Sequence, residues 1–231
     1  MISTLKTSLV VGGSRGLGKQ FIAYLLDKKV ETYNLSRGIC DYPDCRNITL
    51  DLLTVTKERV EEAIPSNVRF SSVFFFSRAR VSSDNTLQEI VTNVLGPLEL
   101  LEILAANYLE RDSRVCFVSS VNARFVDLRL SLGYHLSKAA IVSAVRYYAV
   151  KLAPSGISVN CVSPSTVQRS GSPLLKQDYA DVSALKRTCQ ENDLFETLFF
   201  LGFNSSQFLT GQEIVLDGSI GNIWREPDVR Y

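Results

Sequence analysis

A strand, a glycine-rich turn and a helix follow one another near the start of this chain. The strand is the apolar run Leu9-Val10-Val11, the turn is Gly12-Gly13-Ser14-Arg15-Gly16-Leu17-Gly18, and apolar residues at helical spacing begin at Phe21. The N–H groups and dipole of such a helix N-terminus bind anions, and glycines let a pyrophosphate approach closely. The spacing is Gly-x-x-x-Gly-x-Gly, which differs from the common Gly-x-Gly-x-x-Gly motif. The segment predicts a nucleotide-phosphate site, with a glycine-rich hairpin or cap as the alternative.

Short β-type runs alternate with longer helical patterns along the whole chain. We expect strands near 7–11, 31–35, 47–50, 71–76, 114–118, 158–162 and 213–216, and helices near 16–28, 55–64, 86–110, 133–153 and 191–201. Unbroken apolar strands such as Val73-Phe74-Phe75-Phe76 suit a parallel sheet covered on both faces. The pattern predicts one domain over residues 1–231, a doubly wound (Rossmann) α/β fold with a parallel seven-stranded sheet. Ligands of such folds bind at the carboxyl ends of the strands.

A tyrosine and a lysine four residues apart form the most chemically suggestive pair. Tyr134 and Lys138 fall one turn apart on the same helix face. A free phenol is a poor acid or base at neutral pH, but a fixed cation nearby favours the phenolate and makes it a usable proton shuttle. Ser120 ends the strand before this helix, and Ser119 competes with it for the same role. His135 points about a hundred degrees away from Tyr134, so we expect it to be structural.

Together these segments resemble the short-chain dehydrogenase/reductase family, in its short one-domain form, over nearly the whole chain. The resemblance implies strand order 3-2-1-4-5-6-7 and a nicotinamide dinucleotide as cofactor. It assigns catalysis to Asn93, Ser120, Tyr134 and Lys138. It assigns cofactor binding to Gly12, Ser14, Arg15, Gly16, Leu17, Gly18, Ser36, Arg37, Asp51, Leu52, Ser77, Ala79, Tyr134, Lys138, Pro164 and Val167.

The family's reaction gives each of these catalytic residues a role. The reaction moves a hydride between nicotinamide and a carbonyl or alcohol carbon, and the protein manages one proton. By resemblance, Tyr134 exchanges that proton with the substrate oxygen, while Lys138 also holds the nicotinamide ribose hydroxyls. Ser120 stabilises the charge that develops on the oxygen, and Asn93 holds a water that passes the proton onward. Residues 165–190 correspond to the family's substrate lid.

The end of the second expected strand indicates which cofactor is preferred. An acid about twenty residues past the glycines binds the ribose 2′-hydroxyl of NAD in many such sites. Here that place holds Ser36 and Arg37, with no acid until Asp41. A guanidinium binds a 2′-phosphate by two hydrogen bonds, and Arg15 is a second cation in reach. The sequence therefore favours NADP(H) over NAD(H).

The chain departs from the family pattern at several places, and these keep a second interpretation open. Ser77-Arg78-Ala79-Arg80 stands where the family has Asn-Asn-Ala-Gly, and Pro164 is followed by Ser165 instead of glycine. A dinucleotide-binding regulatory or scaffold protein without turnover is the main alternative, and an epimerase or dehydratase of the larger branch is a third. An acidic or phosphorylated substrate is conceivable, because three arginines could face the pocket: Arg124, Arg129 and Arg169.

Composition narrows the partners and the compartment. The formal net charge is +1, which argues against nucleic-acid binding, and no apolar run approaches the roughly 18 residues that a membrane helix needs. The chain enters its first strand without room for a leader, so a cytoplasmic location is expected. Five cysteines without Cys-x-x-Cys spacing, and one histidine, predict no metal site, although Cys40 and Cys45 flank a short loop.

The two longest expected helices predict a homodimer or homotetramer. Both carry more apolar residues than one buried face requires, and a symmetric interface would cover the surplus. The residues that suggest this are Leu98, Leu101, Ile103, Leu104, Ile141, Val145 and Tyr148. The sequence does not identify the substrate beyond a small carbonyl or alcohol compound.

Overall fold

Seven parallel strands form one sheet in a computed structural model that describes residues 6–79, 85–171, 173 and 181–222. The strands are β1 (Thr7–Val11), β2 (Glu31–Ser36), β3 (Cys45–Thr49), β4 (Phe70–Phe75), β5 (Leu109–Val118), β6 (Ser158–Pro164) and β9 (Glu213–Leu216). Their spatial order is β3-β2-β1-β4-β5-β6-β9, and every pairing is parallel. The expected fold class and strand order are confirmed, while a single domain over residues 1–231 stays a prediction.

Among the described residues, six α-helices connect these strands: α1 (Gly16–Asp27), α2 (Lys57–Ala63), α3 (Thr86–Ile90), α4 (Gly96–Asn107), α5 (Leu132–Leu152) and α6 (Glu191–Phe199). A π-helical turn, Val91–Leu95, joins α3 to α4, and another, Phe200–Asn204, follows α6. The helix expected over 86–110 is wrong at its end. It stops at Asn107 because Leu109 already pairs with Phe70 as the start of β5.

The helices cover both faces of the sheet, which explains the unbroken apolar strands. Val73 and Phe75 point into a core with α2, α4 and α5, whereas Phe74 points into a second core with α1 and α6. Phe75 stacks on Phe117 at a ring separation of 4.4 Å, and on the other face Phe74 meets Phe21 edge-on at 4.8 Å. Successive residues of one strand therefore serve opposite cores.

The order of the strands leaves a crevice above β1 and β4. The chain runs outward from β1 through β2 to β3, and then crosses back to β4 on the other side of β1. Connections leaving β1 and β4 therefore diverge to opposite sides, and the gap between them lies at the carboxyl ends of the strands. Ligands of doubly wound sheets bind at such a point.

The segment after β6 contains a pair of short strands that the sequence analysis does not predict. The short strands β7 (Val167–Gln168) and β8 (Cys189–Gln190) pair in parallel outside the main sheet. They tie the beginning of the expected lid to its end. The lid residues 172 and 174–180 lie outside the described residues, as does Arg80.

The apolar surplus on the long helices exists, but it involves other residues than expected. All the residues singled out in the sequence except the half-buried Leu98 are buried within the chain itself. The apolar side chains that remain exposed are Leu95 at the end of the π-turn and Leu132, Leu136, Tyr147 and Val150 on α5. None of the described helices is long and apolar enough to cross a membrane. The described residues also contain no group of three or more His, Cys, Asp or Glu side chains that could hold a metal ion.

Gly96, at the start of α4, gives a test of this packing. A Cβ at Gly96 would lie 2.1 Å from the carbonyl oxygen of Leu52, a backbone atom that cannot move aside cheaply. We expect Gly96→Ala to destabilise the protein by about 1–3 kcal/mol, the usual cost of overpacking. Thermal unfolding should show a lower Tm for Gly96→Ala, whereas Glu99→Ala, an exposed change on the same helix, should leave it nearly unchanged. Equal Tm values for the two variants would contradict the close approach.

Candidate active site

A cleft of about 1190 Å³ opens at the carboxyl ends of the strands. It is lined by nearly all the residues that the sequence singled out: Gly12, Ser14, Arg15, Gly16, Leu17, Gly18, Ser36, Arg37, Asp51, Leu52, Ser77, Ser120, Tyr134, Lys138, Pro164 and Val167. Asn93 and Ala79 do not line it. The glycine turn, the end of β2, the serines after β5 and the Tyr134–Lys138 pair are far apart in the sequence. They nevertheless meet in one place.

The glycine turn brings α1 close to the end of β1. Gly12 has φ +88° and donates its N–H to the carbonyl oxygen of Leu35, 2.9 Å away. A Cβ at Gly18 would lie 2.4 Å from the carbonyl oxygen of Gly12, so only glycine permits this contact. Arg15 occupies the N-cap of α1 without a side-chain cap bond. The first N–H groups of α1 thus face the cleft and are suited to hold a phosphate.

The end of β2 presents one exposed cation toward the cleft. Arg37 is exposed, and its guanidinium lies 3.9 Å from the carboxylate of Asp51. That carboxylate also accepts a hydrogen bond from the N–H of Leu53 at 3.0 Å. The Ser36 hydroxyl donates to the carbonyl oxygen of Gly38 at 2.7 Å. Arg37 is thus freer than Ser36 to meet a new anion.

Two asparagines, the buried Asn34 and the exposed Asn47, shape the loop that carries Arg37. Asn34 of β2 donates to the side-chain oxygen of Asn47 in β3 at 2.8 Å, and also to the carbonyl oxygen of Gly38. Asn47 in turn binds both the N–H and the carbonyl oxygen of Cys40. Lys19 of α1 pairs with Asp41 at 2.6 Å and holds the loop from its other side. These contacts fix the position of the loop.

The two adjacent serines at the end of β5 have different surroundings. Ser119 is buried and donates its hydroxyl to the carbonyl oxygen of Lys138 at 2.9 Å. Ser120 donates to the side-chain oxygen of Asn122 at 3.0 Å and accepts from the Asn122 N–H. Ser119 is therefore committed to holding α5, while the Ser120 hydroxyl has a partner on a short half-buried turn that a substrate oxygen could replace.

Tyr134 and Lys138 lie one turn apart on α5, as the spacing predicts. The Lys138 Nζ donates to the carbonyl oxygen of Val118 at 2.9 Å and lies 5.7 Å from the centre of the Tyr134 ring. Lys138 is only 5% exposed. Burial, reinforced by the positive charge of Arg78, lowers the pKa of Lys138 from 10.5 to about 8. The ammonium is thus a poorly solvated cation held beside the phenol.

Asn93 lies behind the cleft, in the π-helical turn. Its side-chain oxygen accepts the Ala79 N–H at 2.6 Å, and its amide donates to the Ser137 hydroxyl at 3.1 Å. Ser137 donates in turn to the carbonyl oxygen of Tyr134 at 2.9 Å. Asn93 therefore connects the loop after β4 with the helix that carries Tyr134. A proton-relay role through a bound water stays a prediction. Single π-turns of this kind are frequent at functional sites.

His135 is structural, in agreement with its position on the helix. Its Nδ1 lies 2.8 Å from the carbonyl oxygen of Ser131, and its Nε2 accepts the N–H of Asp127 at 3.1 Å. Asp127 also forms a bidentate pair with Arg129, and the paired cation lowers the Asp127 pKa to about 2. His135 thereby anchors the loop that forms one wall of the cleft.

The most consequential residue that sequence reasoning underrated is Arg78. Its guanidinium lies over the Tyr134 ring, 4.9 Å from the ring centre. The sequence does show that Arg78 replaces the asparagine usual in the family. It does not show where the side chain points, because that depends on the conformation of the loop after β4. Of the three arginines considered for the substrate, Arg129 and Arg169 line the cleft. Arg124 instead pairs with the largely buried Glu213.

A nicotinamide dinucleotide fits this donor set. The first N–H groups of α1 would hold the pyrophosphate, Arg37 and Asp51 would meet the adenosine, and Lys138 and Tyr134 would lie beside the nicotinamide ribose. The glycine turn supports the fit independently, because a Cβ at Gly12 would lie 3.1 Å from the backbone of Phe76 and narrow the crevice. When bound, the group would supply or accept a hydride.

Replacing the buried ammonium should stabilise the protein at neutral pH. The pKa of Lys138 is lower in the folded state (about 8) than its ordinary value of 10.5, so the folded state binds the proton less well. This cost is fully present below pH 8 and disappears as pH rises toward 10.5. A shift of this size corresponds to about 3 kcal/mol. We expect Lys138→Met to raise Tm at pH 7 by several degrees, with the gain shrinking between pH 8 and 10.

Lys151 offers a matched control on the same helix. It is exposed and pairs with Glu102, which raises its pKa. Lys151→Met should therefore give no gain at pH 7. A Tm for Lys138→Met at or below that of the wild type at pH 7 would contradict the buried-cation account.

Comparison with known proteins gives the site its context. A family profile described as enoyl-(acyl carrier protein) reductase matches residues 66–220. The chain is 21% identical to 3-oxoacyl-[acyl-carrier-protein] reductase FabG of Buchnera aphidicola, over 93% of this chain and 97% of that protein. It is 23% identical to a cyclic-di-GMP-binding biofilm dispersal mediator protein of Escherichia coli, over 94% of this chain and 98% of that one.

Solved structures of low sequence identity share the fold. A short-chain dehydrogenase of Leptospira borgpetersenii with bound NAD+ superposes with a TM-score of 0.79 at 21% identity, covering 93% of this chain and 92% of that one. The protein ElxO with bound NADP superposes with a TM-score of 0.78 at 19% identity, covering 95% and 100%. Because the family profile matches well over half of the residues, and the same glycine turn, Tyr134 and Lys138 meet in one cleft, the chain belongs to the short-chain dehydrogenase/reductase family of oxidoreductases.

Proposed function

We propose that this protein is an NADP(H)-dependent oxidoreductase that interconverts a small ketone and a secondary alcohol. One observation carries the proposal: the half-buried Tyr134 and the buried Lys138 lie in the same cleft as the open N-terminus of α1. An anion site and a proton-transfer pair are the two parts that hydride transfer from a bound dinucleotide requires.

Each residue has a specific task in this proposal. Tyr134 gives its proton to the substrate oxygen in reduction and takes it back in oxidation, and the Lys138 ammonium stabilises the phenolate left behind. Ser120 exchanges its Asn122 partner for the substrate oxygen and stabilises the charge developing there. Ser119 and Asn93 hold α5 in position through their hydrogen bonds to the Lys138 carbonyl and to Ser137.

The cofactor preference rests on the charge at the end of β2. Arg37 is exposed there, and the nearby Asp51 leaves its guanidinium fork accessible at a 3.9 Å separation. A 2′-phosphate would bring two charges to this fork, whereas the 2′-hydroxyl of NAD(H) would bring none. Arg15 at the N-cap of α1 adds a second cation to the lining of the cleft.

A dinucleotide-binding regulator without turnover is the second candidate. The observation that favours it is Arg78, whose guanidinium lies over the catalytic ring where the family has an uncharged side chain. A relative of similar identity is named for binding a cyclic dinucleotide. The two candidates differ in one result, because only the enzyme oxidises NADPH when a suitable carbonyl compound is supplied.

Two further proposals concern assembly and compartment. A groove between the π-turn with α4 and α5 is lined by Val94, Leu98, Ala140, Ser143, Ala144, Tyr147 and Tyr148. Leu95, Leu136 and Val150 are further exposed apolar side chains on the same segments. A two-fold interface over this groove would cover them, so we propose a dimer or tetramer.

All five cysteines are free, four of them buried, which suits a reducing cytosol.

Turnover should depend on the phenol of Tyr134. Tyr134→Phe removes only the hydroxyl, so NADPH affinity should stay close to the wild-type value. The rate of NADPH oxidation with a reducible ketone should fall on the order of a hundredfold or more, the usual loss for a general acid. Tyr147→Phe, on the exposed face of the same helix, is the matched control and should keep full activity. A Tyr134→Phe enzyme with an unchanged kcat would refute the assignment.

Cofactor discrimination should depend on Arg37. Hydrogen bonds to charged groups contribute about 1.5–3 kcal/mol each, so NADPH should bind at least about tenfold tighter than NADH. Arg37→Asp should reverse this order, because it replaces a cation with a repelling carboxylate. Fluorescence titration with both cofactors measures the ratio, and Arg69→Asp, an exposed change before β4, should leave it unchanged. Tighter binding of NADH by the wild type would contradict the proposal.

Assembly should depend on the exposed apolar face of α5. Light scattering at micromolar concentration should give twice or four times the 25.7 kDa chain mass. Val150→Glu introduces a charge at a position that is 78% exposed in the single chain. It should dissociate the assembly without lowering Tm of the chain greatly, whereas Leu185→Glu, on another surface, should not. A monomeric wild type would rule the interface out.

A further inference from the structure

We propose that Arg78 is a positioning residue of the proton-transfer site, whose guanidinium holds the Tyr134 ring and supplies a permanent positive charge that favours its phenolate form. The proposal rests on the proposed function, since it concerns the same tyrosine. It adds a second cation, carried by a different element from Lys138.

The geometry places both cations against one ring. The Arg78 guanidinium carbon lies 4.9 Å from the centre of the Tyr134 ring, and the Lys138 Nζ lies 5.7 Å from it. Arg78 comes from the loop after β4, whereas Lys138 comes from α5 itself. A cation over an aromatic face is attracted to the ring, and the attraction increases when the ring carries the negative charge of a phenolate.

Arg78 is available for this role because no described carboxylate pairs with it. Within the described ranges, no carboxylate lies within ion-pair distance of its guanidinium. The loop that carries it is fixed at the next residue, where the Ala79 N–H binds the Asn93 side chain at 2.6 Å. The same Asn93 is linked through Ser137 to the carbonyl of Tyr134. One hydrogen-bonded chain therefore sets the loop of Arg78 and the helix of Tyr134 in register.

The two cations differ in how long they keep their charge as pH rises. Burial and the charge of Arg78 lower the pKa of Lys138 to about 8, so Lys138 becomes neutral in mildly alkaline solution. A guanidinium stays charged at every pH at which the protein is folded. Above pH 8, Arg78 is thus the cation that continues to stabilise the phenolate.

Other charged and titratable groups around the pair come from each neighbouring element. On α5 itself His135 contacts the ring, with 6.2 Å between ring centres. From β6, Cys161 acts on Lys138. From the cleft wall come Asp127 and Arg129, which neutralise one another. From α3, Glu89 accepts the hydroxyl of Ser131, the N-cap of α5, at 2.6 Å. Arg78 is the member of this set that brings an unneutralised charge to the face of the ring.

The test is a spectrophotometric titration that needs neither cofactor nor substrate. Phenolate absorbance of the wild type is corrected with the Tyr134→Phe variant, because the chain contains nine tyrosines. Removing Arg78 alone would also make Lys138 hold its proton longer and partly compensate. The comparison is therefore made in the Lys138→Met background, with Arg78 and with Arg78→Met. We expect Arg78→Met to raise the midpoint of Tyr134 ionisation by about one pH unit or more, the usual effect of one nearby charge.

Control variants separate the charge from the shape of the side chain. Arg78→Lys in the same background should keep most of the wild-type midpoint, because it keeps the charge. Arg15→Met, which removes a cleft cation other than the two that lie at the Tyr134 ring, should leave the midpoint unchanged. Arg78 is exposed, so these variants are expected to fold, and thermal unfolding verifies this. An unshifted midpoint in folded Arg78→Met, or an equal shift in Arg15→Met, overturns the proposal.

The outcome is independent of whether the protein turns over. If Arg78→Met shifts the midpoint of Tyr134 ionisation in a protein that never oxidises NADPH, the role of Arg78 is supported and the oxidoreductase proposal is refuted. If the enzyme is active but its Tyr134 midpoint does not change in Arg78→Met, the oxidoreductase proposal is supported and the role of Arg78 is refuted. In an active enzyme, alcohol oxidation needs the phenolate of Tyr134, so the pH at which the oxidation rate rises should move upward in Arg78→Met and not in Arg78→Lys.

Discussion

The carboxyl edge of one parallel sheet constrains everything else in this protein. Parallel strands oblige the chain to cross the sheet after each strand, so every connection begins at the same edge. The turn after β1, the loop after β4, the serines after β5 and the segment after β6 therefore meet in one cleft. The polar side chains of that cleft are held by a scaffold with one hydrophobic core on each face of the sheet.

The scaffold tolerates features at the cleft that reduce its stability. Lys138 is a buried ammonium whose one hydrogen-bond acceptor in the described structure is the carbonyl oxygen of Val118, and the neighbouring Arg78 adds a like charge. The first turn of α1 lacks a side-chain cap, and a π-turn interrupts the α3–α4 helix at Asn93. Each of these departures is unfavourable for folding alone. Together they leave donors and positive charge directed into the cleft, where a dinucleotide carries phosphates and a reacting oxygen gains negative charge.

Sequence patterns predicted the fold to within a few residues at most element ends. Short β-type runs located all seven strands of the sheet, since both faces of the sheet are buried and successive residues of a strand serve opposite cores. The sequence also placed the glycine turn, Ser120, Tyr134 and Lys138, because motif spacing determines which of these share a helix face or a strand end. The sequence did not predict the elements that depend on pairing between distant segments. Residues 109 and 110 belong to β5 because Phe70 pairs there, and β7 with β8 form only as partners across the lid. The surroundings of Arg78, Asn93 and Ser119 likewise depend on contacts between distant segments.

The measurement that tests this account most directly is a crystal structure of the protein with NADPH. The account predicts the pyrophosphate at the N-terminus of α1, the 2′-phosphate at Arg37 and the nicotinamide beside Tyr134. It further predicts that the Lys138 Nζ turns from the Val118 carbonyl toward the nicotinamide ribose, with the Arg78 guanidinium still over the Tyr134 ring. Density for the cofactor at another site, or a nicotinamide excluded from Tyr134 by Arg78, would contradict it.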